Sequence, residues 1–231
     1  MPEADPAGVG VSRSGAGSDP RPFLVGIAGG SGSGKSTLVR ALTALLGADR
    51  VATLSQEAYY GDRGALPAAQ RVTLGYDEPE ALDIELFLEH LITLRARRPV
   101  HPPRYCFSRH RRIGVDAPVE PRPIVLVDGV LLLHDPRVRA LFDLTIFLDV
   151  PDATRVSRRH ARGVSEEDRP RRSGLSAHDA VVRGFHARYV EPTKALADLV
   201  LLNVGRLDRL AEIGAGVVLD RVERRAREAA A

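Results

Sequence analysis

The sequence predicts an α/β fold, a doubly wound parallel sheet flanked by helices. Three observations carry that prediction. Short apolar runs that read as buried strands recur along the chain and alternate with segments of helical period. The first of them, Phe23-Leu24-Val25-Gly26-Ile27-Ala28, passes through a glycine-rich stretch directly into an amphipathic segment. The chain has 231 residues and is 44% apolar, which suffices for one such domain with modest insertions. No apolar run approaches membrane-spanning length.

Residues 1–21 are rich in Pro, Gly, Ser and Ala and lack the apolar core of a signal peptide. They are predicted to be a disordered leader, with 22–231 as a single domain. Cys106 is the only cysteine, which excludes an intrachain disulfide or a thiolate metal cluster and fits a cytoplasmic location. The net charge is +3 and the pI near 9.3. That charge is nearly all Arg, with Lys35 and Lys194 the only lysines, and acids are interspersed. It reads as compositional bias, so neither nucleic acid nor membrane is expected as a partner.

The glycine-rich stretch is Gly29-Gly30-Ser31-Gly32-Ser33-Gly34-Lys35-Ser36-Thr37, followed by residues 38–46 at helical spacing and closed by Gly47. Strand, glycine loop and helix together form the context of a phosphate-binding loop. Glycines let consecutive N–H groups turn toward a polyphosphate, and the helix N-terminus adds partial positive charge. Lys35 is placed for the β- and γ-phosphates and Ser36 for Mg²⁺. The fold narrows to the P-loop NTPase type, binding a nucleotide polyphosphate.

Residues 51–55 read as the second strand, ending in Gln56-Glu57-Ala58-Tyr59-Tyr60. An acid at the C-terminal end of a strand lies where open parallel sheets place ligand groups, so Glu57 is a candidate catalytic base or Mg²⁺-shell group; a solvated loop Glu is an equal reading of that segment alone. Residues 61–74 read as irregular. Asp83 is a plausible N-cap for a helix over 84–94, in which His90 reads as a partly exposed helix residue. Residues 100–123 carry prolines at both ends around Pro103-Arg104-Tyr105-Cys106-Phe107-Ser108-Arg109-His110-Arg111-Arg112 and predict a projecting β-hairpin. Tyr105 and His110 could stack on or hydrogen-bond to a planar ligand, or belong to a basic surface hairpin.

Ile124-Val125-Leu126-Val127-Asp128-Gly129 predicts a strand beside the first; a lone strand-end Asp is often a turn residue, but with a phosphate loop upstream Asp128 is favoured as the acid that holds Mg²⁺ directly or through water. A short helix from Asp135 to Phe142 and a core strand over 144–150 follow. The helix opened by Pro151-Asp152-Ala153-Thr154 puts Arg155, Arg158, Arg159 and Arg162 on one face, either a phosphoryl clamp or a solvated basic face. Residues 165–173, charged and broken by Pro170, read as a mobile segment. Residues 180–196 predict helix in two pieces broken at Glu191-Pro192, residues 199–202 a last strand, and residues 207–231 a closing helix whose Arg-rich end frays.

Taken together, Gly26 to Ser36, Leu54 to Tyr60, Tyr76-Asp77-Glu78-Pro79-Glu80-Ala81-Leu82-Asp83, Pro103-Arg104-Tyr105 with His110, Val127 to Leu131, Thr154 to Arg159, and Glu191-Pro192-Thr193-Lys194 with Ala197-Asp198 resemble the uridine–cytidine kinases of the phosphoribulokinase/uridine kinase group. The resemblance covers roughly residues 23–203. It implies transfer of the γ-phosphoryl of ATP or GTP to the 5′-hydroxyl of uridine or cytidine, with Mg²⁺, and a homotetramer. It also implies that residues 29–37 hold the triphosphate, that Tyr76 and Asp77 sit at the nucleoside with Asp77 on the ribose, that Tyr105 and His110 contact the base, and that Arg159, Arg162 and Arg169 form the lid over the phosphates. Four positions depart from the family pattern. Glu57 stands where Asp is usual, Asp128 where Glu is usual, Glu167-Asp168-Arg169 where Arg-Gly-Arg is usual, and Ala177 in place of a Gln. Two other readings stay open: a divergent P-loop kinase of another small alcohol (another nucleoside, or a pantothenate- or ribulose-phosphate-like compound), and a catalytically silent nucleotide-binding regulator.

Overall fold

The computed structural model describes residues 21–62, 78–165 and 175–231. Residues 1–20 of the leader, Tyr76, Asp77, most of the segment 165–173 and Arg169 lie outside the described residues. Strand β1 (Phe23–Ala28) occupies the centre of a five-stranded sheet. It pairs in parallel with β5 (Ile124–Gly129) on one side and β6 (Leu144–Asp149) on the other. Strand β2 (Val51–Ser55) extends the sheet beyond β5, and β7 (Leu199–Leu202) extends it beyond β6, giving the order β2-β5-β1-β6-β7. All four pairings are parallel, so every strand delivers its C-terminal end to the same edge.

The apolar runs are continuous because both faces are covered. Phe23, Val25, Ile27, Ile124 and Leu126 point to one side, where they pack with Leu38 and Leu42 of α1 (Lys35–Leu46) and with Ala215 and Val218 of α6 (Leu207–Ala229). Leu24, Ala28, Val125 and Val127 point to the other, against Phe87, Leu91 and Leu94 of α2 (Ile84–Arg95). Burying each such side chain stabilises by about 1.5–3 kcal/mol. Asp83 caps α2 as expected, its Oδ1 accepting from the Leu86 N–H at 3.2 Å. Outside the sheet, β3 (Pro103–Cys106) and β4 (Arg111–Val115) form the expected antiparallel hairpin, with His110 in left-handed conformation (φ 52°) at its turn.

Three expectations need correction. The short helix after Asp135 is α3 (Pro136–Arg139), and single turn bonds carry the chain on to Phe142. The helix expected from residue 180 starts earlier, as α5 (Leu175–Phe185), then widens into a π turn at His186–Val190. It continues as a 3-10 turn at Glu191–Leu196, because Pro192 lacks the N–H an α-helix needs. The end of α6 is anchored instead of frayed: the Arg225 guanidinium lies 4.9 Å over the Phe23 ring and donates to Asp143 and to the carbonyls of Arg21 and Pro22. Among the described residues, no helix is long and apolar enough to cross a membrane.

Candidate active site

The glycine loop leaves β1 at the edge where the strand ends converge, and α1 begins at Lys35. Gly34 precedes it at φ 99°, a left-handed conformation that costs glycine nothing. Lys35 is buried, and its Nζ donates to the carbonyls of Gly29 (3.0 Å) and Gly30 (3.3 Å), which folds the ammonium back over the loop. Ser36 and Thr37 follow on the exposed side of the first turn. The loop is pressed from behind by its neighbours. A Cβ on Gly30 would lie 2.7 Å from Arg155 Nη1 and 2.8 Å from His186 Nδ1, and one on Gly32 would lie 2.5 Å from the Arg155 carbonyl.

The two acids sit together. Register pairs Ser55 with Asp128 across β2 and β5, and Glu57 follows in the 3-10 turn Gln56–Tyr59. Ser36 Oγ donates to Asp128 Oδ2 at 3.1 Å. Burial pushes the Asp128 carboxyl above its ordinary value. The charge of Lys35 and hydrogen bonds from Ser36 and Ser55 pull it down, and the charge of Glu57 adds to the rise. The donor set of Ser36 hydroxyl, Asp128 and Glu57 is all oxygen, which suits a hard divalent cation such as Mg²⁺. Net upward displacement of Asp128 marks a buried site short of positive charge, so the residues present fit that ion.

Helix α4 (Asp152–Ser165) supplies the arginines. Arg158 Nη1 donates to the Ser33 carbonyl (3.2 Å) and Arg159 Nη1 to the Ser31 carbonyl (3.2 Å), so two of the four lie on the loop. Arg155 is buried, donates to the Val150 carbonyl, and pairs with Asp152 at 2.9 Å, anchoring the helix start under the loop. Arg162 belongs to the same helix, and its side chain lies outside the described residues. On the opposite flank, the hairpin brings Tyr105 to Tyr60, with ring centroids 5.5 Å apart, and Phe107 closes that aromatic group.

The model of the phosphoribulokinase/uridine kinase family matches residues 24–209. This chain belongs to that family. A uridine kinase of Clostridium perfringens is 39% identical over 181 residues, spanning 78% of this chain and 87% of that protein. A uridine kinase of Chloroflexus aggregans is 36% identical over 185 residues, spanning 80% and 88%. Among solved structures, a candidate fructose transport system kinase from Silicibacter sp. is 28% identical, with a TM-score of 0.63 over 79% of this chain and 90% of that one. A phosphoribulokinase from Rhodobacter spheroides shares the fold at TM-score 0.58 and 11% identity, over 81% of this chain and 72% of that one.

The structure brings Lys35, Ser36, Asp128, Glu57 and Arg159 to one edge of the sheet, and the hairpin carries Tyr105 against Tyr60 beside the Glu57 turn, with His110 at the hairpin's own turn. Several residues that hold this arrangement were not singled out from sequence. Gln56 is buried and accepts the Leu131 N–H at 3.0 Å, tying the Glu57 turn to the segment after Asp128. A Cβ on Gly129 would fall 2.3 Å from its Oε1, so that glycine makes room for it. Asp179 of α5 takes Arg159 Nη2 on one oxygen (3.1 Å) and His160 on the other (2.8 Å). Asn203, just after β7, donates to the Ser33 carbonyl at 2.8 Å. Arg112 of the hairpin reaches back to the Glu57 turn. Of these, only Gln56 had a local signal, its position beside the candidate acid; the others act over long sequence separations. The Glu191–Lys194 motif is structural by its contacts: Lys194 Nζ pairs with Glu191 at 2.6 Å and Asp149 at 3.2 Å, and His186 contacts Glu191 at 3.1 Å.

Proposed function

We propose that this chain transfers the γ-phosphoryl group of ATP or GTP to the 5′-hydroxyl of a nucleoside, with uridine and cytidine as the favoured acceptors. The observation that carries this reading is the pairing of Glu57 with the Lys35–Ser36–Asp128 cluster at adjoining strand ends, beside an aromatic hairpin. The sequence relatives named uridine kinase supply the acceptor class.

Phosphoryl transfer asks mainly for positioning and neutralisation of charge. The loop N–H groups and Lys35, whose ammonium lies over the loop on the Gly29 and Gly30 carbonyls, hold the triphosphate. Arg159, already on the Ser31 carbonyl, faces the same phosphates. Ser36 and Asp128, with Glu57 nearby, would hold Mg²⁺, which when bound neutralises charge on the phosphate oxygens. Glu57 takes the proton from the 5′-hydroxyl as its oxygen bonds to γ-phosphorus and the bond from γ-phosphorus to the bridging oxygen breaks, releasing the nucleoside diphosphate. By the family resemblance, Tyr105 and His110 serve the base, Tyr76 and Asp77 the nucleoside with Asp77 on the ribose, and Arg162 and Arg169 the phosphates.

The test is release of ADP or GDP by purified protein with Mg²⁺ and a panel of acceptors. D-Fructose belongs in it, as the sugar printed in the name of a structural neighbour. Turnover that depends on uridine or cytidine supports the reading. Turnover with fructose alone, or nucleotide binding without any acceptor-dependent release, overturns it.

A further inference from the structure

The hairpin stands outside the main sheet, and a two-stranded ribbon has little stability of its own. Tyr105 and Phe107 of the hairpin pack on the Tyr60 ring, Arg111 lies 3.9 Å from Asp62, and one further side chain makes three bonds to the body. Arg112, on β4, donates from Nε to the Tyr60 carbonyl at 3.0 Å and from Nη2 to the Tyr59 carbonyl at 3.3 Å. Its Nη1 lies 3.0 Å from Asp83 Oδ2. Those carbonyls end the 3-10 turn that bears Glu57. The Tyr59 carbonyl also accepts the Asp83 N–H at 2.8 Å, while Asp83 Oδ1 caps α2. Three pieces of the molecule therefore meet at one planar fork: the hairpin, the Glu57 turn and the start of α2.

We infer that Arg112 is a positioning residue for phosphoryl transfer, locking the acceptor-facing hairpin to the turn that carries Glu57. This rests on the acceptor reading proposed above. An ion pair this exposed contributes little by itself: the Arg112 and Asp83 side chains are 26% and 36% exposed. The information lies in the geometry. A guanidinium presents fixed, coplanar donors to two successive carbonyls and a carboxylate together; an ammonium is a single point and cannot span them. Glu57 lies two residues before Tyr59, so any tilt of the hairpin that drags these carbonyls also moves the Glu57 carboxylate. A displacement of 1 Å at a reacting group costs about 100-fold in rate.

The test uses the full chain with Arg112→Ala, Arg112→Lys and Asp83→Asn, read in two ways. The kinetic readout is kcat and KM for both substrates. Arg112→Ala and Arg112→Lys should lower kcat with uridine by about 10–100-fold. KM for ATP should stay near the wild-type value, because the phosphate loop is not part of the joint. Guanidinium ion at low, non-denaturing concentration should restore part of the Arg112→Ala rate, and Asp83→Asn should fall between wild type and Arg112→Lys. The second readout, amide hydrogen exchange, does not depend on turnover. Arg112→Lys should speed exchange at residues 56–61 as well as in the hairpin, and leave residues 29–46 unchanged. Normal kcat in all three variants, or exchange altered in the hairpin alone, overturns the inference. An inactive wild type that still shows the coupled exchange would count against the acceptor reading and leave the mechanical joint supported.

Discussion

Asp128 is buried where the folded chain disfavours the charged form of its carboxyl. Its carboxyl is displaced upward, chiefly by burial, with Lys35 opposing and Glu57 adding to the rise. The folded state therefore keeps the proton to higher pH than the unfolded chain. Stability is lost as pH rises through that interval, and the cost is fully present above the folded value. Asp128→Asn should accordingly raise stability at neutral pH by about 0.5–2 kcal/mol, a gain typical of relieving strain at a functional site. That gain should vanish below the ordinary Asp value of about 3.9. The same change should lower turnover by about 100–1,000-fold. Thermal melts across pH, paired with rates, check both halves; a less stable Asp128→Asn at neutral pH would contradict the assignment. Glu57 and Asp128 also make an exchange testable, since each differs by one methylene from the pattern the family suggests. Glu57→Asp or Asp128→Glu alone shifts a carboxylate by about 1–1.5 Å, a C–C bond length. Because these acids lie on neighbouring strand ends, the double variant should recover much of the lost rate, a coupling of about 1–3 kcal/mol. Simple addition of the two losses would show that each acid acts alone.

Helix α4 and the π turn together form the floor beneath the phosphate loop, and this packing belongs to elements more than to residues. Gly30 touches Arg155 and His186, each held from its far side: Arg155 by Asp152 and the Val150 carbonyl, His186 by Glu191. Gly30→Ala should therefore force the loop outward, cost about 1–3 kcal/mol of stability, and weaken ATP binding. Melts with and without ATP would show it; an unchanged ATP-induced shift would mean the floor yields freely. The loop itself was legible in the sequence because its rule is local: glycines, a lysine and a hydroxyl between a strand and a helix. So was the hairpin, bracketed by prolines. The floor was not. A helix reading of residues 180–196 contains no signal for a π turn, which here accompanies the packing of His186 between Gly30 and Glu191. Nor does spacing on one face of α4 reveal that Arg155 turns inward while Arg158 and Arg159 reach the loop carbonyls.

Across the whole molecule, a parallel sheet gathers groups distant in sequence at one edge, and the order β2-β5-β1-β6-β7 decides which of them meet. Alternation of strand and helix along the chain was enough to expect that class of fold, because strands buried on both faces read as unbroken apolar runs. Strand order is a matter of three-dimensional packing; β5 lies next to β1 although about a hundred residues separate them, and only that adjacency places Asp128 under Ser36. Arg112, Asp179 and Asn203 escaped notice for the same reason, their partners being 20 to 170 positions away. The central claim, a kinase that delivers phosphate to a nucleoside 5′-hydroxyl through Glu57, is tested most directly by comparing uridine with 5′-deoxyuridine as acceptor in the presence of ATP and Mg²⁺. Uridine should support steady ADP release and yield the 5′-monophosphate, while 5′-deoxyuridine should inhibit that reaction and support none of its own. Equal ADP release with both compounds, or with neither, would contradict it.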